Sequence, residues 1–144
     1  MKKPETSTAK NGDRRVRGPH GRILVVEDDF LVAMQLERDL RDEGHDVLGP
    51  ARTAADAVDL AAREQPDLVV MDIRLVGERD GVDAALEIFR NSGIRTLFAT
   101  AHSDARLKAR AAPAAPLGWV QKPYSRACVL AEVASALRSV QRTG

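Results

Sequence analysis

The strongest constraint in this chain is a rhythm. Short, continuous apolar runs, each ended by polar or acidic residues, alternate with stretches whose apolar residues recur at helical spacing. Ile23-Leu24-Val25-Val26 stops at Glu27-Asp28-Asp29, and Leu68-Val69-Val70-Met71 stops at Asp72. Thr96-Leu97-Phe98-Ala99 stops at Thr100, and Leu117 to Gln121 stops at Lys122-Pro123. A run that is apolar at every residue, not at every second one, suits a strand buried on both faces. Val47-Leu48 reads as a shorter strand closed by Gly49-Pro50.

Between the runs lie helices. Phe30 to Glu43 carries Leu31, Met34, Leu36 and Leu40 as an inward stripe, with Asp29 as its cap and Gly44 as its stop. Thr53 caps a second helix that runs to about Glu64, ahead of Pro66. A third spans about Val82 to Asn91 and closes at Gly93; Ser103-Asp104 start a short fourth, broken by Pro113. Ser125 caps the last, where Leu130, Val133, Leu137 and Val140 repeat at helical spacing. Strand and helix in alternation imply an α/β fold, a parallel sheet covered on both faces. Right-handed crossovers then leave few topologies. The expectation is a doubly wound, five-stranded, flavodoxin-like (βα)5 domain of order 2-1-3-4-5, its site beyond the carboxyl ends of the strands.

Composition narrows the function classes. At 144 residues and 44% hydrophobic, the chain is one domain with a real core and is not disordered throughout. No apolar stretch approaches a membrane span. A lone Cys128 and scattered His20, His45 and His102 exclude a disulfide framework and a Cys/His zinc cluster, and fit a reducing, cytoplasmic setting. Residues 1–20 hold Lys2, Lys3, Lys10, Arg14, Arg15 and Arg17 against Glu5 and Asp13, and no apolar segment of a secretory leader follows them. They read as a disordered basic tail ahead of a domain at residues 21–142. His20 and His45 read as solvent residues, and Cys128 as a small packed one.

The strand ends carry the chemistry. Glu27, Asp28, Asp29, Asp72, Thr100 and Lys122 would meet at one edge of the sheet. Carboxylates that close repel one another, and a hard divalent cation resolves the conflict. Mg2+ suits a site of few carboxylates plus water and phosphate oxygens. Asp72, ending a central strand, is placed as a nucleophile of the kind that forms phosphoryl-aspartate. A transferring phosphoryl group needs its oxygens held by metal, ammonium and hydroxyl, which Asp28 with the metal, Lys122 and Thr100 would supply. Lys122 is one of only two lysines beyond residue 20, where arginine is otherwise the cation used. That choice suits a compact ammonium.

At these residues the chain resembles the receiver domain of two-component response regulators, in stand-alone, chemotaxis-regulator-like form. The matching pieces are Ile23-Leu-Val-Val-Glu-Asp-Asp29, Val69-Val-Met-Asp-Ile-Arg74, Phe98-Ala-Thr100 and Gln121-Lys-Pro123, and the likeness runs from Arg22 to Gln141. The resemblance implies that Asp72 is the phosphate acceptor. It implies that Asp28 is the main ligand of Mg2+, with Glu27 beside it acting through water and Arg74 giving its backbone carbonyl. Thr100 becomes the switch hydroxyl and Lys122 the family's cation, followed by a cis bond to Pro123. Trp119 stands where the family often has a mobile aromatic. The loop through Gly77-Glu78-Arg79-Asp80-Gly81 is longer than usual, and Ala101 stands where a similar Phe-Ala-Thr-Gly subgroup has glycine.

The partners implied are a sensor histidine kinase or phosphotransfer protein, a downstream protein target, and a second copy through the face of the fourth and fifth helices. Neither DNA nor membrane is expected as a partner, because only the tail is basic and no reading helix stands outside the five units. With only Arg142-Thr-Gly144 after the last helix, signalling would run through protein contacts, and no enzyme activity beyond self-phosphorylation and dephosphorylation is expected. An aspartyl-nucleophile phosphohydrolase is the alternative, although that chemistry usually sets Asp-x-Asp on the first strand. A flavin module would need a glycine- and hydroxyl-rich loop where Glu27-Asp28-Asp29 stands.

Overall fold

The computed structural model describes residues 19–143, so the basic leader lies, except for its last two residues, outside the described residues. The elements follow in strict alternation: β1 (Arg22–Val26), α1 (Phe30–Asp42), β2 (Asp46–Ala51), α2 (Ala54–Glu64), β3 (Leu68–Asp72), α3 (Gly81–Ser92), β4 (Thr96–Thr100), α4 (Ala105–Ala111), β5 (Gly118–Gln121) and α5 (Arg126–Thr143). A 3-10 turn, Ala112–Ala114, follows α4 at Pro113. The strands form one parallel sheet of order β2-β1-β3-β4-β5.

Side chains of a strand alternate between faces, and both faces here are covered. Ile23, Val25, Leu68, Val70 and Leu97 pack with Leu36, Leu40, Val129, Val133 and Leu137 of α1 and α5. Leu24, Val26, Val69, Met71 and Phe98 pack with alanines of α2 and with Val82, Ala85 and Ile88 of α3. This double burial is the physical reason the strands read as unbroken apolar runs. Among the described residues no helix is long and apolar enough to cross a membrane.

Four details depart from the sequence reading. First, β2 does not close at Gly49-Pro50 but continues to Ala51, whose carbonyl accepts a hydrogen bond from Glu27 N–H at 2.9 Å. An edge strand tolerates proline. Gly49 has φ +101, and a Cβ there would stand 2.7 Å from Val25 O, so only glycine fits. Second, Leu31 and Met34 do not face the core: they are 72% and 43% exposed, while Ala33, Leu36 and Leu40 form the buried stripe. Third, His45 is buried at 6% exposure, whereas Cys128 is exposed. Fourth, Asp104 alone caps α4, accepting from Leu107 N–H. Asp29 caps α1, accepting from Leu31 and Val32 N–H.

His45 closes the lower edge of the sheet. Its Nδ1 accepts from Gly21 N–H at 3.3 Å, and its ring meets His20 edge-on at 5.6 Å. An accepting Nδ1 must be unprotonated. Burial holds the imidazole below its ordinary 6.5, with His20 adding to the effect and Glu43 opposing it. The unfolded chain therefore takes up the proton first, and stability falls as pH drops below 6.5. Urea melts from pH 7.5 to 5 should show wild type losing stability relative to His45→Gln, with a slope of up to about 1.4 kcal/mol per pH unit. Parallel curves would exclude this role.

Candidate functional site

Register alone brings the polar strand ends together. Val26 pairs with Met71, Asp72 with Ala99, and Thr100 with Gln121. Glu27 and Asp72 therefore stand level, with Thr100 one residue and Lys122 two residues beyond them, across four neighbouring strands. They line a cleft of about 660 Å³ with Asp28, Arg74, His102, Asp104 and Leu107. Carboxylate oxygens of Glu27, Asp28 and Asp72 lie within 4.8 Å of one another, with Glu27 and Asp72 buried. All are hard oxygen donors, so this cluster fits a divalent metal ion of the magnesium class.

The crowding has an electrostatic consequence. Burial, with Asp72 close by, pushes the Glu27 carboxyl up to about 7, against the opposing pull of Asp29 N–H and the Lys122 ammonium. Lys122 Nζ reaches both buried acids, at 3.1 Å from Glu27 Oε1 and 3.4 Å from Asp72 Oδ1. Burial alone would lower the Lys122 ammonium, but these two carboxylates outweigh it and raise it. One cation thus bridges two of the three acids.

The other expected site residues fall into two groups. Arg74 lines the cleft with its side chain exposed. Thr100 lines it too, but its hydroxyl is engaged in a local turn, donating to His102 O at 3.1 Å and accepting from His102 N–H at 3.2 Å. The Lys122-Pro123 bond is cis, and Pro123 borders a neighbouring groove between α1 and α5 together with Tyr124. Trp119 lies outside the cleft. It stacks on Phe98 at 4.7 Å and sits under Lys108 of α4, on the α3–α4 side rather than towards α5.

Gly81 is a contributor that residue chemistry did not single out. Its N–H donates to Ile73 O at 2.7 Å, folding the long loop back onto the end of β3. A Cβ on Gly81 would stand 2.1 Å from Asp72 O. The Asp-Gly pair opening α3 was the available signal: an N-cap followed by the residue that permits closest backbone approach.

Comparison with known proteins agrees with this geometry. The family model of the response regulator receiver domain matches residues 23–134. The chain is 39% identical to the transcriptional regulatory protein PdtaR of Mycobacterium tuberculosis over 104 residues, 72% of this chain and 50% of the relative. It is 34% identical to the phyllosphere-induced regulator PhyR of Methylorubrum extorquens over 116 residues, 80% of this chain and 43% of the relative. The chain therefore spans about half the length of these curated relatives or less. Among solved structures, the signal receiver domain of a modulated diguanylate cyclase from Desulfovibrio desulfuricans superposes with a TM-score of 0.79 at 28% identity, covering 88% of this chain and 100% of that one.

Gly81→Ala should displace the acidic loop, because the clash is with backbone and no side chain can yield. A loss of about 2–3 kcal/mol in urea melts is expected. A neutral effect would show that the loop has slack.

Proposed function

The chain belongs to the response regulator receiver domain family, and from that premise we propose that it is a two-component switch which takes a phosphoryl group on Asp72. The observation that carries this reading is the Lys122 ammonium bridging buried Asp72 and Glu27 beside Asp28. Asp28, Asp72 and Glu27, with the Arg74 carbonyl, would hold Mg2+. Bound there, Mg2+ would supply positive charge against the phosphoryl oxygens. An Asp72 carboxylate oxygen attacks phosphorus in line; the bond to the donor nitrogen or oxygen breaks, and the leaving group keeps the electron pair. Lys122 is within reach to shift its ammonium from Glu27 and Asp72 onto a phosphoryl oxygen. Thr100 can follow by exchanging its turn with His102 for the same group. The product carries about −1.5 to −2 charge, which is the switching event. Beyond its own phosphorylation and dephosphorylation the domain has no turnover chemistry in this reading.

A small phosphodonor with Mg2+ should add one phosphoryl group per chain, read by intact mass. Asp72→Asn, nearly isosteric but a poor nucleophile, should reduce labelling at least a hundredfold, on the order of the loss for removing a nucleophile. Labelling of that variant at the wild-type rate would place the acceptor elsewhere, and many turnovers per chain would favour a phosphohydrolase.

A protein donor, a histidine kinase or phosphotransfer protein, must cover the same sheet edge. Phe30 and Leu31 are 64% and 72% exposed in the first turn of α1, with Met34 one turn on. Val32 and Leu36 of the same helix, with Pro123 and Tyr124, line a groove of about 570 Å³ that shares Lys122 with the cleft. Exposed apolar residues beside a polar cleft mark a protein-binding surface. Leu31→Asp should slow labelling by a phosphorylated protein donor about tenfold. Labelling by a small donor should stay at the wild-type rate. Equal slowing with both donors would count against docking there.

A further inference from the structure

α4 is poorly anchored by apolar contact. Of its seven residues only Ala111 is buried, while Leu107 packs partly against the core. Its cations supply what apolar side chains supply elsewhere. Lys108 Nζ lies 5.7 Å from the centre of the Trp119 ring, a cation–π arrangement. Arg110 reaches across to the start of α3: Nη1 donates to Asp80 Oδ2 at 2.8 Å, and Nη2 donates to Asp80 Oδ1 at 2.8 Å and Asp83 Oδ1 at 2.9 Å. This is a two-toothed guanidinium–carboxylate fork with a third bond, the strongest geometry such a pair adopts.

The acids it grips are already fixed. Asp80 Oδ1 accepts from Asp83 N–H and Asp83 Oδ2 from Asp80 N–H, each at 3.0 Å, closing a capping box at the start of α3. The next residue, Gly81, is bonded to Ile73 O and packed on Asp72 O. The fork is therefore one rigid step from the backbone of Asp72. Burial alone would raise the Asp80 carboxyl, but the Arg110 and Asp83 contacts outweigh it and hold it low, so the pair stays ionised near neutral pH.

We infer that Arg110 is a positioning residue: its fork on Asp80 and Asp83 seats α4 against the Asp72 loop and so holds the domain in its resting state. The part of this inference that concerns the resting state rests on Asp72 being the acceptor. The seating of α4 does not. By linkage, whatever favours the seated helix disfavours the phosphorylated form if that form displaces α4, and to the same extent.

The test uses the full chain with Mg2+ and four variants: Arg110→Ala, Arg110→Lys, Asp80→Asn and the double variant Arg110→Ala with Asp80→Asn. Asparagine still caps a helix, so Asp80→Asn removes the charge and leaves the cap. Trp119 is the only tryptophan, so acrylamide quenching of its fluorescence reads the cover provided by α4. Quenching should rise in Arg110→Ala and Asp80→Asn and rise less in Arg110→Lys. The double variant should match Arg110→Ala, while Asp80→Asn alone, which leaves the Arg110–Asp83 bond, should show the smaller rise. Amide exchange across residues 81–85 should speed up in parallel. Beryllium fluoride, which mimics the phosphoryl group on a carboxylate, should bind Arg110→Ala about three- to tenfold more tightly than wild type, the effect of losing one partly exposed ion-pair network. A role limited to stability would leave that affinity unchanged.

Unchanged Trp119 quenching in Arg110→Ala overturns the inference, as does additive behaviour in the double variant. Raised quenching with unchanged mimic affinity overturns the link to Asp72. A wild type that binds no mimic at all overturns the acceptor reading instead. The fork is then judged by quenching and exchange together: a rise in both supports it, and either one staying level overturns it.

Discussion

The structure is organised around a conflict of like charges. Parallel pairing of β1 with β3 sets Val26 opposite Met71, so the residues that follow, Glu27 and Asp72, emerge side by side at a buried edge. Removing carboxylates from water costs several kcal/mol each unless a partner compensates. The chain compensates from three directions. Ala51 O and Asp29 N–H tie down Glu27, the one accepting from its backbone and the other donating to its side chain. Lys122 arrives from the far side of the sheet, carried by the β4–β5 register. Gly81, lacking a Cβ, lets the loop after Asp72 fold back without pushing the acid out of place. What remains uncompensated appears as the Glu27 carboxyl raised to about 7. A site left in that condition suits a hard divalent cation.

α5 and α4 are anchored to the sheet in different ways. α5 buries Val129, Val133, Ala136 and Leu137 against β1, β3 and β4. Each large aliphatic side chain so buried contributes roughly 1.5–3 kcal/mol, so α5 is held without help from charges. α4 has one buried alanine and a partly packed Leu107, to which Arg110 and Lys108 add their polar contacts. Those partners are partly exposed, in the range where ion pairs contribute about 1 kcal/mol or less apiece. An element held by a few such contacts opens at low cost, which is the property a signalling segment requires.

Strands and helix caps were legible because each rests on local chemistry. Unbroken apolar runs report burial on both faces, and Asp29, Thr53 and Asp104 each precede a helix by one residue. The acidic edge was legible too, since parallel strands of similar length must end together. The phase of α1 was not: Leu31, Met34, Leu36 and Leu40 fit a helical stripe, yet Ala33 takes the inward position and leaves two of them in solvent. Small residues pack closest to a sheet, and periodicity counts them last. His45 looked polar and solvated, but its ring completes a hydrogen bond with Gly21 across 24 residues. Arg110 is one of fourteen arginines beyond residue 20, and nothing local distinguishes it. Its partners lie 27 and 30 residues away and are reached only through the packing of α3 beside α4.

Thr100 and Arg110 together explain why a charge placed on Asp72 would be felt along all of α4. The Thr100 hydroxyl closes a turn with both backbone groups of His102, two residues before the Asp104 cap of α4. That hydroxyl has one proton, which it gives either to His102 O or to a phosphoryl oxygen. Turning towards Asp72 leaves His102 N–H and C=O without that partner and loosens the turn that leads into the helix. At its other end α4 is fastened through Arg110 to Asp80, and Asp80 moves with Gly81 and the Asp72 backbone. Both ends of one lightly packed helix thus refer to the same carboxylate. Gains at the phosphoryl group and losses at the His102 turn are each of hydrogen-bond size, about 1 kcal/mol. The Arg110 fork contributes on the same scale, so it would weigh in any displacement of α4.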